Sequence, residues 1–164
     1  MNDVILEIKG LLDEDFLNYK LPSMFITTAH CTFKCDIESG MSCCQNSSLA
    51  KIPPLHVPAT TLIDRYLRNP ITKAIVIGGL EPFDQFEEIF EFIKLFREEY
   101  DCIDSIVIYT GFNEAEIANQ IEKLQTFKNI IVKFGRFIPD QDKHYDNVLG
   151  VYLASPNQYA KEIS

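Results

Sequence analysis

The chain has 164 residues, of which 46% are hydrophobic and 24% charged, and this composition is typical of a single globular domain over residues 1–164. Its formal net charge of −9 argues against the broad phosphate-binding surface of a nucleic-acid-binding protein. No apolar run could span a bilayer, and residues 1–10 lack the zones of a signal peptide. We therefore expect a cytoplasmic protein with neither a nucleic-acid partner nor a membrane partner.

Short β-branched runs alternate with longer helical patterns along the chain. Strands are predicted over residues 23–28, 73–77, 105–111, 129–135 and 149–155. Helices are predicted over residues 57–67 and 84–100, and a third begins at Asn113, which forms a capping-box pattern with Glu116. Strands that alternate with helices form parallel sheets with right-handed crossovers. The pattern thus predicts an α/β fold of about four βα units, either a partial (βα) barrel or an open parallel sheet.

Glycines follow three of the predicted strands, as Gly78-Gly79, Gly111 and Gly135. Ligands bind outside the carboxyl ends of parallel strands, and glycine lets a backbone approach a ligand closely. The cysteine-rich segment also follows a strand, so we expect these glycines and the cysteines along one edge of the sheet. The alternative interpretation is that each glycine only makes a turn.

Four of the five cysteines, Cys31, Cys35, Cys43 and Cys44, lie close together in the sequence. In a reducing compartment, clustered cysteines are more often metal ligands or redox groups than disulfides. The adjacent Cys43 and Cys44 match poorly the spaced pairs of a structural zinc site. An iron–sulfur cluster, in contrast, accepts thiolates from a loop, because each iron needs one protein sulfur. Cys102 precedes its strand and is expected to be a bystander.

The segment CTFKC, residues 31–35, resembles the opening of the radical S-adenosylmethionine motif, which has three residues between its first two cysteines. That motif normally has two residues before its third cysteine, whereas eight separate Cys35 from Cys44 here. The segment CQNS, residues 44–47, resembles the Cys-aromatic-Asn that closes the motif in the small activases of anaerobic ribonucleotide reductase. This favours Cys44 over Cys43 as the third ligand.

Further matches to these activases follow in order along the chain. GGLEP over 78–82 resembles a Gly-Gly-Glu-Pro segment with one extra residue, and YTG over 109–111 resembles a strand end of the activases. KFGRF over 133–137 and ASPNQ over 154–158 resemble their late segments. The resemblance extends from about residue 24 to residue 158, and it implies a single radical S-adenosylmethionine domain with a partial (βα) barrel.

The resemblance also implies the cofactors and the reaction. A [4Fe-4S] cluster would be held by Cys31, Cys35 and Cys44, and its open iron would bind the amino and carboxylate groups of S-adenosyl-L-methionine. One electron from the cluster would cleave the C5′–sulfur bond, which gives methionine and a 5′-deoxyadenosyl radical. The implied substrate is a backbone glycine of a large protein, a glycyl radical enzyme, and the implied electron donor is a flavodoxin or a ferredoxin.

By the same resemblance, seven residues are expected to bind S-adenosylmethionine: Gly78, Gly79, Glu81, Tyr109, Thr110, Lys133 and Arg136. Glu81 would pair with the ammonium group, although it could instead be a helix-entry carboxylate. Lys133 or Arg136 would hold the carboxylate, the arginine in a bidentate way. Tyr109 and Thr110 would contact the ribose or the adenine.

Two other hypotheses remain open. In the first, the radical chemistry is the same and the substrate is a peptide or a small metabolite. In the second, the protein is a non-catalytic interaction module that binds an iron–sulfur cluster or zinc. Cluster-dependent cleavage of S-adenosylmethionine separates the second hypothesis from the others.

Overall fold

The computed structural model describes residues 3–29 and 52–164, so Cys31, Cys35, Cys43 and Cys44 lie outside the described residues. The described strands are β1 (Ile5–Asp15), β2 (Ser23–Thr28), β3 (Leu55–Pro58), β4 (Ala74–Gly79), β5 (Ser105–Tyr109), β6 (Ile130–Phe134), β7 (His144–Asp146), β8 (Val151–Leu153) and β9 (Tyr159–Glu162). The described α-helices are α1 (Ala59–Arg68), α2 (Phe86–Glu98) and α3 (Ala118–Leu124).

Seven of these strands form one mixed sheet in the order β3-β1-β2-β4-β5-β6-β9. The four central strands β2, β4, β5 and β6 are parallel to one another. Antiparallel strands extend the sheet on both sides, β1 and β3 next to β2, and β9 next to β6. The sequence patterns do not predict these three strands. The partial-barrel architecture stays a prediction.

The three α-helices cover one face of the sheet. The central strands follow the same order in the sheet as in the chain, and right-handed crossovers then place every connecting helix on the same face. Side chains of all three helices join one core cluster with alternate residues of the strands, for example Ile63, Phe92 and Leu124 with Ile75 and Ile106.

The opposite face of the sheet has a second core cluster. Val76, Val107 and Ile131 point to this face, where Tyr19 from the turn after β1 and Leu149 before β8 cover them. β7 and β8 form a separate antiparallel pair. The predicted strand over 149–155 is therefore part of this pair and does not extend the main sheet. A turn and a hairpin thus cover this face of the sheet, whereas helices cover the other face.

The helix starts show how local sequence fixes the loops at the carboxyl edge. A 3-10 turn over Pro82–Gln85 precedes α2, so the α-helix begins two residues later than the predicted start at residue 84. Asn113 and Glu116 form the predicted capping box, and the Asn113 N–H donates to the Glu116 carboxylate at 3.0 Å. The loops after β4 and β5 thus each enter a helix through a capped 3-10 turn.

Candidate functional site

A cavity of about 510 Å³ lies at the carboxyl ends of the parallel strands, and this volume is in the usual range for small-molecule sites. Residues at or just beyond the ends of β4, β5 and β6 line it: Gly79, Leu80, Glu81, Tyr109, Thr110, Gly111, Lys133, Gly135 and Phe137. Phe25 and Thr27 of β2 also line it. The structure therefore brings five of the seven predicted cofactor-binding residues to one cavity; Gly78 and Arg136 do not line it.

The turn after β1 and the hairpin region form the outer walls of the cavity. Leu17 and Asn18 line one side, and residues 151–154 line another. The Tyr109 hydroxyl donates a hydrogen bond to the Asn18 carbonyl, and the Lys20 N–H donates to the Leu149 carbonyl at 2.7 Å. These bonds hold the turn against both the sheet and the hairpin.

Glu81 is the central acid of the site, and only 7% of its surface is exposed. Its carboxylate accepts hydrogen bonds from the Phe83 N–H at 3.0 Å, the Gly111 N–H at 2.8 Å and the Thr110 hydroxyl. Burial raises the pKa of this carboxyl, although the three donors act in the opposite direction. Glu81 therefore caps the 3-10 turn before α2, as the helix-entry interpretation predicts, and it also ties the end of β4 to the end of β5.

Two lysines, Lys133 and Lys143, line the cavity, and Lys133 is the buried one, with only 6% of its surface exposed. Its ammonium group donates to the Gly135 carbonyl at 3.2 Å and lies 5.6 Å from the centre of the Tyr109 ring, within the range of a cation–π contact. Burial also raises the pKa of the Tyr109 hydroxyl, and the nearby Asp15 and Asp146 add to this shift. Tyr109 stays neutral and serves as a packing and hydrogen-bonding group.

Arg136 pairs with a carboxylate of the protein. Its two terminal nitrogens donate to the two carboxylate oxygens of Glu116 at 2.8 and 2.7 Å, and its guanidinium lies over the Phe112 ring. The bidentate geometry expected for a ligand carboxylate is thus used by a carboxylate of the protein itself. Of the two basic residues predicted to hold the ligand carboxylate, Lys133 lines the cavity and Arg136 does not.

The double glycine is required by the packing of β4 against its neighbours. Gly79 has a φ of +87°, and a Cβ there would lie 2.4 Å from the Thr27 side chain of the neighbouring strand. A Cβ on Gly78 would lie 3.1 Å from the Phe25 ring and 3.3 Å from Tyr109. A Cβ at either glycine would therefore meet protein atoms of β2.

Two buried polar residues that the sequence does not predict hold the segments around the cavity. Gln158 accepts from the Ala154 and Ser155 N–H groups and donates to the Gly135 carbonyl, so it holds the loop before β9 against the cavity. Asp146 accepts from the Leu149 and Ala160 N–H groups, both at 2.9 Å, and thereby joins the hairpin to β9. The ASPNQ segment is a sequence signal for Gln158, whereas Asp146 has none.

The predicted cluster ligands Cys31, Cys35 and Cys44 lie outside the described residues, as does Cys43. Residue 29, the last described residue before them, directly follows the end of β2, where Thr28 pairs with Gly79 beside the cavity. Cys102 is a free cysteine just before β5, at the opposite end of that strand from the cavity. Within residues 3–29 and 52–164, no set of three His, Cys, Asp or Glu side chains could hold a metal ion.

Comparison with known proteins identifies the family. The family model of the 4Fe-4S single cluster domain matches residues 23–158, which is most of the chain. The chain therefore belongs to this family and is an iron–sulfur protein with a [4Fe-4S] cluster domain. The search of curated proteins found no match. In the described part of the chain, no helix has the length and the apolar character needed to cross a membrane.

Proposed function

We propose that this protein is a radical S-adenosylmethionine enzyme that reductively cleaves S-adenosylmethionine at its [4Fe-4S] cluster and activates a glycyl radical enzyme, such as anaerobic ribonucleotide reductase. The observation that carries the proposal is a buried acid and a buried base, Glu81 and Lys133, in one cavity at the strand edge where the chain enters its cysteine segment. When bound, the cluster and S-adenosylmethionine supply the radical chemistry, and the protein places and shields them.

The charges of the cavity fit the amino-acid end of S-adenosylmethionine. Three described donors reach the Glu81 carboxylate, and the Thr110 hydroxyl among them contacts both oxygens. The place of Glu81 in the cavity lining and its negative charge suit the ammonium group of the ligand. Lys133 supplies a positive charge for the ligand carboxylate. Because both groups are buried, their interactions with a zwitterion are stronger than they would be in water.

The cluster has its natural ligands in the cysteine segment. The family match covers residues 23–158 and so includes Cys31, Cys35, Cys43 and Cys44. The resemblance to the activases assigns Cys31, Cys35 and Cys44 as ligands and leaves one iron open. β2 leads directly from the cavity into this segment, which supports placing cluster and cavity together.

The rim of the cavity supports a macromolecular substrate. Leu17 and Tyr152 both line the cavity, and they are 81% and 70% exposed. The Tyr152 ring also packs edge-to-face on Tyr145, which is itself exposed. Exposed apolar side chains grouped beside a cavity are typical of a surface that binds a polypeptide. This favours a protein glycine over a small metabolite as the site of hydrogen abstraction.

Anaerobic reconstitution tests the proposal directly. The reconstituted protein should contain about four irons per chain and, with a reductant, should convert S-adenosylmethionine to methionine and 5′-deoxyadenosine. Omission of the reductant is the control. A cluster that forms without any cleavage under reducing conditions would leave a non-catalytic iron–sulfur interaction module.

The substrate requires a second measurement. Incubation with a candidate glycyl radical enzyme and with reduced flavodoxin or ferredoxin should give a glycyl radical signal in electron paramagnetic resonance. Cleavage of S-adenosylmethionine that proceeds with a peptide or a metabolite, and with no radical on any glycyl radical enzyme, would favour the alternative substrate class.

A further inference from the structure

The pair formed by Arg136 and Glu116 lies beside the cavity without lining it. Only 7% of the surface of Arg136 is exposed, and its planar guanidinium matches both oxygens of Glu116. Such a fork fixes distance and angle at once, whereas a lysine ammonium would fix only a distance. The pair therefore fixes a buried arginine in distance and angle against an acid, Glu116, whose side chain is 33% exposed.

The connection joins the loop after β5 to the loop after β6. Glu116 belongs to the 3-10 turn after β5, and its Oε1 accepts from both Arg136 and the Asn113 N–H. Arg136 directly follows Gly135, whose N–H donates to the Phe112 carbonyl at 3.1 Å. The Arg136 carbonyl in turn accepts from the Asn157 side chain at 2.8 Å.

These two loops contact the two buried charged residues of the cavity. The loop after β5 includes Thr110 and Gly111, which donate to Glu81. The loop after β6 includes Gly135, whose carbonyl receives the ammonium group of Lys133. A change in the spacing of the loops therefore shifts Glu81 relative to Lys133.

We propose that Arg136 and Glu116 are positioning residues that set the spacing between Glu81 and Lys133, and thereby the recognition of the amino-acid end of S-adenosylmethionine. The inference rests on the proposed function and adds to it two residues that do not contact the ligand. It also gives Arg136 a role different from the direct carboxylate contact that the sequence predicts.

The test compares two ligands that differ in the amino-acid end. S-adenosylhomocysteine carries that end and 5′-methylthioadenosine lacks it, and calorimetry on the anaerobically reconstituted protein gives both dissociation constants without any cleavage. For Arg136→Lys and Glu116→Gln, we expect S-adenosylhomocysteine to bind at least about tenfold more weakly, because its charged contacts are misplaced. The affinity for 5′-methylthioadenosine should stay within about twofold of the wild-type value.

A matched control is available on the surface. Arg65 and Asp13 also pair through two hydrogen bonds, and neither lines the cavity, so Asp13→Asn should leave both affinities unchanged. Arg136→Lys keeps the charge, and its iron content and circular dichroism should match the wild type. Equal losses for both ligands, or no loss for either, would overturn the positioning role. A wild-type protein that bound neither ligand would overturn the proposed function itself, and this inference with it.

Discussion

Replacement of Glu81 by glutamine tests how the central carboxylate of the cavity is held. In the wild type, one carboxylate oxygen accepts from the Gly111 N–H and the other from the Phe83 N–H. Glutamine has only one oxygen, and its NH₂ group cannot accept, so in either orientation one backbone N–H faces another donor. An unsatisfied buried donor costs about 1–3 kcal/mol, and we expect Glu81→Gln to lower the free energy of unfolding by this amount at mildly acidic pH.

The pH dependence gives the prediction its sign. Burial raises the pKa of Glu81 in the folded state above its ordinary value of 4.5. The raised pKa contributes stability that is fully present at a pH below the pKa of the unfolded chain. This contribution is lost as the pH rises through the pKa of Glu81 in the folded protein. Glutamine does not titrate, so the stability difference between wild type and Glu81→Gln should shrink as the pH rises.

Urea unfolding at several pH values between about 5 and 8 measures this difference, with circular dichroism as the signal. Thr110→Ser is the control, because it keeps the hydroxyl that donates to Glu81, and its difference from the wild type should not vary with pH. A Glu81→Gln variant as stable as the wild type at the acidic end would contradict the predicted cost of the unsatisfied N–H group. A difference that stayed constant with pH would refute the stated effect of burial.

The same variant also changes ligand affinity. Glu81→Gln removes the negative charge that is proposed to face the ammonium group of S-adenosylmethionine. A hydrogen bond to a charged group contributes about 1.5–3 kcal/mol, so we expect the dissociation constant to rise roughly 10- to 100-fold. Calorimetry with the reconstituted protein measures it, and wild-type affinity in the variant would show that Glu81 only caps the turn.

Three further predictions concern stability and the cluster. Gly79→Ala should lower the free energy of unfolding by about 1–2 kcal/mol because of its φ of +87° alone. Adding Thr27→Ala should relieve only the steric contact between the new Cβ and the Thr27 side chain, and a double-mutant cycle by urea unfolding measures that part. Asp146→Asn should lower the free energy of unfolding by about 1–3 kcal/mol, because one of two buried N–H groups loses its acceptor. Iron analysis should show that Cys44→Ser abolishes the cluster, that Cys43→Ser keeps most of its iron and that Cys102→Ser changes little. Loss of iron in Cys43→Ser with retention in Cys44→Ser would instead assign Cys43 as the third ligand.

Two features of the sequence predict the location of this site: local strand patterns, and the tendency of ligands to bind at the carboxyl ends of parallel strands. The β-branched runs place β2, β4, β5 and β6 within a few residues, and parallel strands bring their ends to one edge. Gly79, Glu81, Tyr109, Thr110 and Lys133 can therefore be grouped from sequence alone, and the structure has them around one cavity.

What could not be predicted depends on contacts between distant residues. Arg136 meets Glu116 only because two neighbouring loops turn toward each other, and Gly79 is constrained by Thr27 of another strand. The antiparallel strands β1, β3 and β9 are partly exposed and lack a clean apolar alternation, so their pairing partners, not their own sequences, define them.

The unequal covering of the two sheet faces has a consequence for how this domain can diversify. Helices pack on one face and give the sheet most of its core, whereas the cavity wall on the other face consists of a turn and a hairpin. That wall is attached through a few identifiable bonds, such as those of Tyr109 and Asp146. Its exposed residues, among them Leu17 and Tyr152, can change in identity without disturbing the helical core. Selection can therefore alter what the cavity mouth recognises while the frame that holds the charged residues is inherited unchanged.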